Sequence, residues 1–309
     1  MQTNTRNWLL FIILSIIWGS SFILMKIGMQ HLSAYQVASI RILSAGIVLL
    51  PFAIKGFKQV PKNKYGAIII AGLLGNFFPA YLYCLAEIKI DSSLASILNA
   101  LTPLCAIIIG VAFFQLKITF AKITGVLIGF AGLALLPFAS NNQMRFTNFG
   151  YSALVLIATI CYGTNVHVVS HYLKDISSML IAAIAFAFFI PVCLIVLLYT
   201  GFFKFHLLQN GIPVSILAAT TLGVLGTAIA SVWFYVLVKS AGSIFASTVT
   251  YGIPLIAIVW GLIFGETITV LEIVCLVMIL AGVYIVNKKS SNIKRESYRQ
   301  TVQNRRADK

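Results

Sequence analysis

Ten stretches of this 309-residue chain are each long and apolar enough to cross a bilayer, and no other feature limits its folding as much. They cover residues 8–29, 36–54, 65–86, 92–114, 120–138, 149–170, 177–199, 212–238, 243–264 and 269–287. A helix needs about 20 mostly apolar residues to span the hydrocarbon. Inside lipid each backbone segment must satisfy its own hydrogen bonds, and these runs are continuous rather than alternating. Helices are therefore expected and strands are not. The first run is longer than the roughly 7–15-residue core of a secretion signal and nine more follow it, so it is expected to stay in the mature protein. Hydrophobic residues make up 60% of the chain and charged residues 9%. A soluble domain carries roughly 25% charged residues to cover its surface, so here lipid must do that covering. The expected fold class is an all-α polytopic membrane protein with ten transmembrane helices.

The net charge of +15 is not a nucleic-acid signature, because of where the charges sit. Eight of the 22 basic residues lie in the tail 288–309, directly after the last apolar run. With Arg6, Lys55, Lys58, Lys62, Lys64, Lys117, Lys122, Lys174 and Lys239 they put seventeen cations on one side of the alternating spans. Lys26, Lys89, Arg145 and Lys204 are the four on the other side. By the positive-inside bias both termini are expected in the cytoplasm, with the basic tail against anionic lipid heads of a bacterial inner membrane.

The two halves of the chain echo each other. Trp18-Gly19-Ser20-Ser21 in span 1 matches Tyr162-Gly163-Thr164-Asn165 in span 6. Pro103-Leu104 in span 4, followed by Ala106, Ile107 and Gly110, matches Pro254-Leu255 in span 9, followed by Ala257, Ile258 and Gly261. Ala131-Gly132 and Ala281-Gly282 close spans 5 and 10. Five spans is an odd number, so the second repeat must enter the membrane inverted. The expected units are 1–138, 149–287 and the tail 288–309. Inverted repeats of this kind imply alternating access around a midplane site between the halves.

The same residues resemble the EamA family of the drug/metabolite transporter superfamily. The resemblance rests on Trp18-Gly19-Ser20-Ser21, Arg41, Ser93-Leu94-Ala95 leading to Leu101-Thr102-Pro103-Leu104, Leu222-Gly223-Val224-Leu225-Gly226-Thr227, Pro254, and Gly265-Glu266-Thr267-Ile268-Thr269. It implies a ten-helix fold and export or exchange of amino acids or other small metabolites. One departure stands out. The family places a glutamate after the fourth span as well as the ninth, whereas this chain has Phe114-Gln115-Leu116-Lys117 there.

Candidate site residues follow from polarity at midplane depth, since an unpaired amide in hydrocarbon is costly. The expected substrate cavity comprises Trp18, Ser21, Asn76, Tyr81, Asn99, Thr102, Tyr162, Asn165, Thr227, Trp233, Thr248 and Tyr251, with Ser20 nearby. Pro103 and Pro254 join them as mid-span kinks that free carbonyls near Asn99 and Thr250. An aromatic-rich lining suits a neutral or zwitterionic solute. Arg41 is the deepest cation and His167 the deepest histidine, so both are candidates as intramembrane charged or titratable groups. Gly125, Gly129 and Gly132 form a stripe suited to close helix packing. The carboxylates Glu87, Asp91, Asp175, Glu266 and Glu272 fall at or beyond span ends. With none at mid-membrane, flux is expected to follow the solute gradient without proton coupling.

No catalytic motif of the Walker, HExxH or G-x-S-x-G type is present, so no enzyme activity, cofactor or metal site is expected. Five cysteines lie singly inside apolar runs, which argues against a disulfide framework. The expected partners are a small solute and the lipid bilayer. The competing class is a membrane-embedded lipid-modifying enzyme or a sensor, which would need convergent ionisable groups or a signalling domain.

Overall fold

A computed structural model describes residues 2–115, 120–139, 146–204 and 211–287. Each of the ten expected spans is helical over most of its length. Span 1 is α1 (Gln2–Gly28), which begins well before the apolar run, and span 2 is α2 (Ala34–Gly56). Ser33 caps α2 in a capping box with Gln36, so the turn between spans 1 and 2 is closed by their own side chains. Span 3 is α3 (Tyr65–Gly72), a π-helical stretch Leu73–Phe77, and α4 (Phe78–Ala86). Span 4 is α5 (Ser92–Asn99) and α6 (Thr102–Phe114), and span 5 is α7 (Phe120–Ala139). Spans 6 and 7 are α8 (Phe146–Tyr172) and α9 (Ser178–Tyr199). Span 8 is α10 (Ile212–Thr221), a second π-helical stretch Leu222–Ile229, and α11 (Ala230–Ala241). Span 9 is α12 (Ser243–Ser247), a 3₁₀ turn Thr248–Tyr251 and α13 (Gly252–Ile263), and span 10 is α14 (Val270–Asn287). Among the described residues eight helices meet the length and hydropathy of a membrane span, and spans 5 and 10 contribute shorter apolar segments, Ile123–Gly132 and Val270–Gly282.

Irregularities come in pairs one half-chain apart. Spans 3 and 8 each carry a π-helical stretch, and spans 4 and 9 are each broken near mid-membrane. Packing is paired in the same way. Span 2 lies along span 7 and span 5 along span 10, while span 1 meets spans 8 and 9 and span 6 meets spans 3 and 4. Each half therefore packs chiefly on the other, as two inverted five-helix repeats must. The span 5 stripe lies where α7 meets α14, and a Cβ on Gly282 would strike the Gly129 backbone 2.6 Å away.

The prolines act differently from the expected mid-helix kinks. Pro103 sits in the first turn of α6 and Pro254 in the first turn of α13, so each starts a new helix after a break. The freed Asn99 carbonyl does not stay open to solute, because the Thr102 hydroxyl donates to it at 2.7 Å.

Polarity is turned inward. Phe113, Ile195, Leu198, Leu217 and Val259 are exposed, while Arg41, Asn76, Asn99 and Asn165 are buried. That is the arrangement lipid selects. Arg145, Lys117 and the basic tail lie outside the described residues. We call the end of the bundle carrying the N-terminus proximal and the other end distal.

Candidate functional site

The paired breaks and π-helical stretches converge on one cavity between the halves. It measures about 60 Å³ and is walled by spans 1, 2, 3, 4, 6, 8 and 9. That volume holds a few waters, whereas ligand pockets run to roughly 300–1,000 Å³, so the cavity is contracted in this conformation.

Span 1 contributes Trp18 and Ser21. The Trp18 indole donates to the Gly226 carbonyl at 2.9 Å, within the π-helical stretch of span 8, where the wider winding displaces the regular acceptor pattern. Ser21 packs on Gly226, where an added Cβ would lie 2.8 Å from its hydroxyl. The inverted repeat reproduces this in span 6. Asn165, the counterpart of Ser21, presses on Gly75 in the π-helical stretch of span 3, leaving no room for a Cβ there. Asn76, in the span 3 stretch, ties it to α11 just past the span 8 stretch, accepting from the Ser231 hydroxyl at 2.7 Å and donating to the Tyr235 hydroxyl at 3.2 Å. Asn99 accepts from the Tyr83 hydroxyl at 2.7 Å and from Thr102 at 3.1 Å. Tyr162 stacks on Tyr83 with ring centroids 6.1 Å apart.

Arg41 is buried and turned into this cavity rather than toward either interface. Its Nε donates to the Thr227 hydroxyl at 2.6 Å, one Nη lies 3.8 Å from the Met25 sulfur, and Tyr162 is a further partner. Among the described residues the ion pairs are Lys26 with Asp91 and Lys26 with Glu266, so no carboxylate is paired with Arg41. A buried guanidinium held by neutral groups keeps donors that can receive an anion. Asn165 Oδ1 is buried without a hydrogen-bond partner on the same wall.

Of the residues the sequence nominated, Trp18, Ser21, Arg41, Asn76, Asn99, Thr102, Tyr162 and Asn165 meet at the cavity. The others lie elsewhere. Thr227 stands one bond behind the wall, on Arg41. Tyr81 faces Ser39 at 2.8 Å and Cys193, between spans 2 and 7. Trp233 is 36% exposed on the outer face of span 8. Thr248 donates to the Phe245 carbonyl, and Tyr251 packs half-buried beside the cavity without lining it. Pro103 and Pro254 are buried in helix starts off the lining. His167 is buried with Nε2 2.7 Å from the Ala106 carbonyl and its ring stacked on Phe114, a structural placement away from the cavity. The sequence reading missed Tyr83, Ser231, Tyr235, Ser247 and Thr250, whose polar groups are ordinary in type and gain meaning only from the face they occupy.

Distal to the cavity lies a charged cluster. Gly265 adopts a left-handed φ of 84°, a conformation glycine reaches freely, and turns the chain so that Glu266 folds back over the end of α13. The Glu266 carboxylate accepts from the backbone N–H of Ser92 at 3.0 Å and of Ser93 at 3.1 Å, capping α5, and from Lys26 at 2.7 Å. Lys26 also reaches Asp91 at 3.2 Å. Burial pushes the Glu266 carboxyl up, but the bonds from Lys26 and Ser93 outweigh it and hold the group below the usual carboxylate range. Glu87, directly after span 3, behaves oppositely. It is 4% exposed, Oε1 has no partner, and Oε2 accepts only from the Ser92 hydroxyl at 3.2 Å. Burial lifts its carboxyl well above the usual range, more than Ser92, Lys26 and Arg41 can offset.

The sequence pattern described as the EamA-like transporter family matches residues 6–138 and 150–288. An uncharacterized transporter of Archaeoglobus fulgidus is 26% identical over 92% of this chain and 99% of its own. A probable terminal-alkyne amino-acid exporter of Streptantibioticus cattleyicolor is 24% identical over 96% of this chain and 98% of its own. A crystal structure with 14% sequence identity superposes over 94% of this chain and 99% of its own at a TM-score of 0.64, and has the same fold.

Proposed function

The chain belongs to the EamA-like transporter family, and from that premise we propose that it carries a small organic solute whose carboxylate is held by Arg41. It is a membrane transporter of small metabolites, and the site sits between inverted repeats, where alternating access exposes it to each side in turn. The observation that carries the carboxylate reading is Arg41: buried in the cavity, bonded only to neutral groups, and on no salt bridge among the described residues. A fixed guanidinium selects planar anions by paired charge-assisted hydrogen bonds. The unpartnered Asn165 Oδ1 suits a donor on the same solute, such as an ammonium group. An amino acid has both features, and one relative is named as an amino-acid exporter.

The repeats are taken as 1–138 and 149–287, followed by the tail 288–309. The membrane is the cytoplasmic one with both termini inside, supported by the seventeen-to-four charge bias, so the distal end faces outward.

The test is counterflow in proteoliposomes. Small neutral amino acids should exchange, and their carboxamides, which lack the anion, should not. Arg41→Gln should lower exchange by one to two orders of magnitude, following a lost charge-assisted bond of about 1.5–3 kcal/mol. Equal exchange of an amino acid and its carboxamide would refute the carboxylate assignment.

A further inference from the structure

We propose that Glu87 is a proton-carrying site of the transport cycle, so that solute movement through the Arg41 cavity is coupled to proton movement. The inference rests on the transport reading above and adds a function to it. Three placements support it. Glu87 is buried at the end of span 3 with Oε1 unpartnered, so its carboxylate form would be an uncompensated charge. It lies one helical turn beyond Tyr83, with its backbone N–H on the Tyr83 carbonyl, and Tyr83 lines the cavity. On its other side stands the Lys26–Glu266–Asp91 cluster that ties spans 1, 4 and 9 at the distal end.

The groups facing Glu87 are Lys26 from span 1, Arg41 from span 2, Tyr83 and Cys84 from its own span, Ser92 from the start of span 4, and Glu266 from the loop after span 9. Lys26 is already bound to two carboxylates, so it does not neutralise a third. Glu266 adds repulsion. In the closed form the proton therefore stays on Glu87. When the distal cluster parts and water enters, the carboxyl is solvated, its proton affinity falls, and the proton exchanges with the outer solution. When the cavity opens proximally, water reaches the same carboxyl past Tyr83, whose hydroxyl donates to Asn99 at 2.7 Å on the cavity wall. The proton moves from water to a carboxylate oxygen and back to water, and no other bond changes. The sequence placed this glutamate at or beyond a span end, and in the fold it is buried, with Ser92, Lys26 and Glu266 beside it.

Two readouts test the proposal. Infrared difference spectra of the purified protein, titrated across neutral pH, should show a protonated carboxyl band that Glu87→Gln removes. In proteoliposomes with L-alanine, an imposed pH gradient should drive accumulation above equilibrium in the unmodified protein. Glu87→Gln should retain L-alanine counterflow while losing that accumulation, because the amide mimics the protonated form and cannot release a proton. A band that persists in Glu87→Gln, or pH-driven accumulation that survives it, overturns the proposal. Counterflow without pH-driven accumulation in the unmodified protein overturns coupling and leaves the transporter reading standing. Absence of L-alanine counterflow altogether counts against the solute class instead.

Discussion

Glu87 and Glu266 lie near one another yet titrate in opposite senses, and the signs make separate predictions. Glu266 is depressed, so its contribution to stability is present above the ordinary carboxylate pKa of about 4.3 and is lost as pH falls through its lower folded value. Glu87 is raised, so the folded state keeps a proton that the unfolded chain has given up. Stability is then lost as pH rises from about 4.3 toward the folded value. Melting temperature in detergent should therefore fall with rising pH in the unmodified protein, and Glu87→Gln should flatten that slope. Glu266→Gln should instead melt lower at neutral pH and lose its difference from the unmodified protein in acid. A Glu87→Gln slope equal to that of the unmodified protein would show that Glu87 is ionised in the fold. Much of the cavity was legible at this scale. Arg41, Asn76, Asn99 and Asn165 are too polar for lipid, so depth alone sends them inward. Glu87 was not legible, because the groups that bury it come from positions as far along the chain as Glu266.

At the scale of elements, the π-helical stretches in spans 3 and 8 help to set which side chains face the cavity. Winding with i→i+5 bonds shifts the helical phase, so a regular-helix projection fails beyond them. Ser231 and Tyr235, one turn apart in α11, turn in and Trp233 between them turns outward, as helical spacing requires, but the phase of all three relative to the residues before Leu222–Ile229 is what sequence periodicity could not foresee. The span 4 and 9 breaks were legible as proline positions but not as helix starts, since only the chain trace tells a kink from a restart. Trp18→Phe should leave the Gly226 carbonyl without its indole donor at a cost of about 1–3 kcal/mol. Thermal unfolding would register it as a lower melting temperature, and an unchanged value would mean that water replaces the indole. Gly75→Ala should overpack against Asn165 and Gly226→Ala against Ser21, each costing about 1–3 kcal/mol. Similar losses in both variants are expected because the two contacts are related by the repeat. A loss in one alone would mean that the related contacts do not carry equal load.

For the whole molecule, span number and repeat order were legible because ten apolar runs and duplicated motifs admit one arrangement. A C-terminal alkaline phosphatase fusion should be silent if the charge bias sets the orientation, since that bias predicts both termini in the cytoplasm. Strong activity from it would reverse the assignment of distal to outside. The repeats match in backbone but not in fastening. Distally, Glu266 draws together the α5 start and Lys26, whereas the corresponding turn after span 4 has Gln115 at a left-handed φ of 54° and no glutamate follows it. Proximally, Lys239 donates to the Ile176 carbonyl with Asp175 acting on it through space, and Ser240 donates to Asn7 at 2.9 Å, and neither contact is among the ion pairs of the described residues. Two doors of the same build thus hang on one frame, and only one has a bolt. The bolt predicts a carrier that rests with its distal side shut and opens more often at the proximal side, the cytoplasmic one under the proposed orientation. Solute offered from inside should half-saturate it at a lower concentration than solute offered from outside, and Glu266→Gln should bring the two values together.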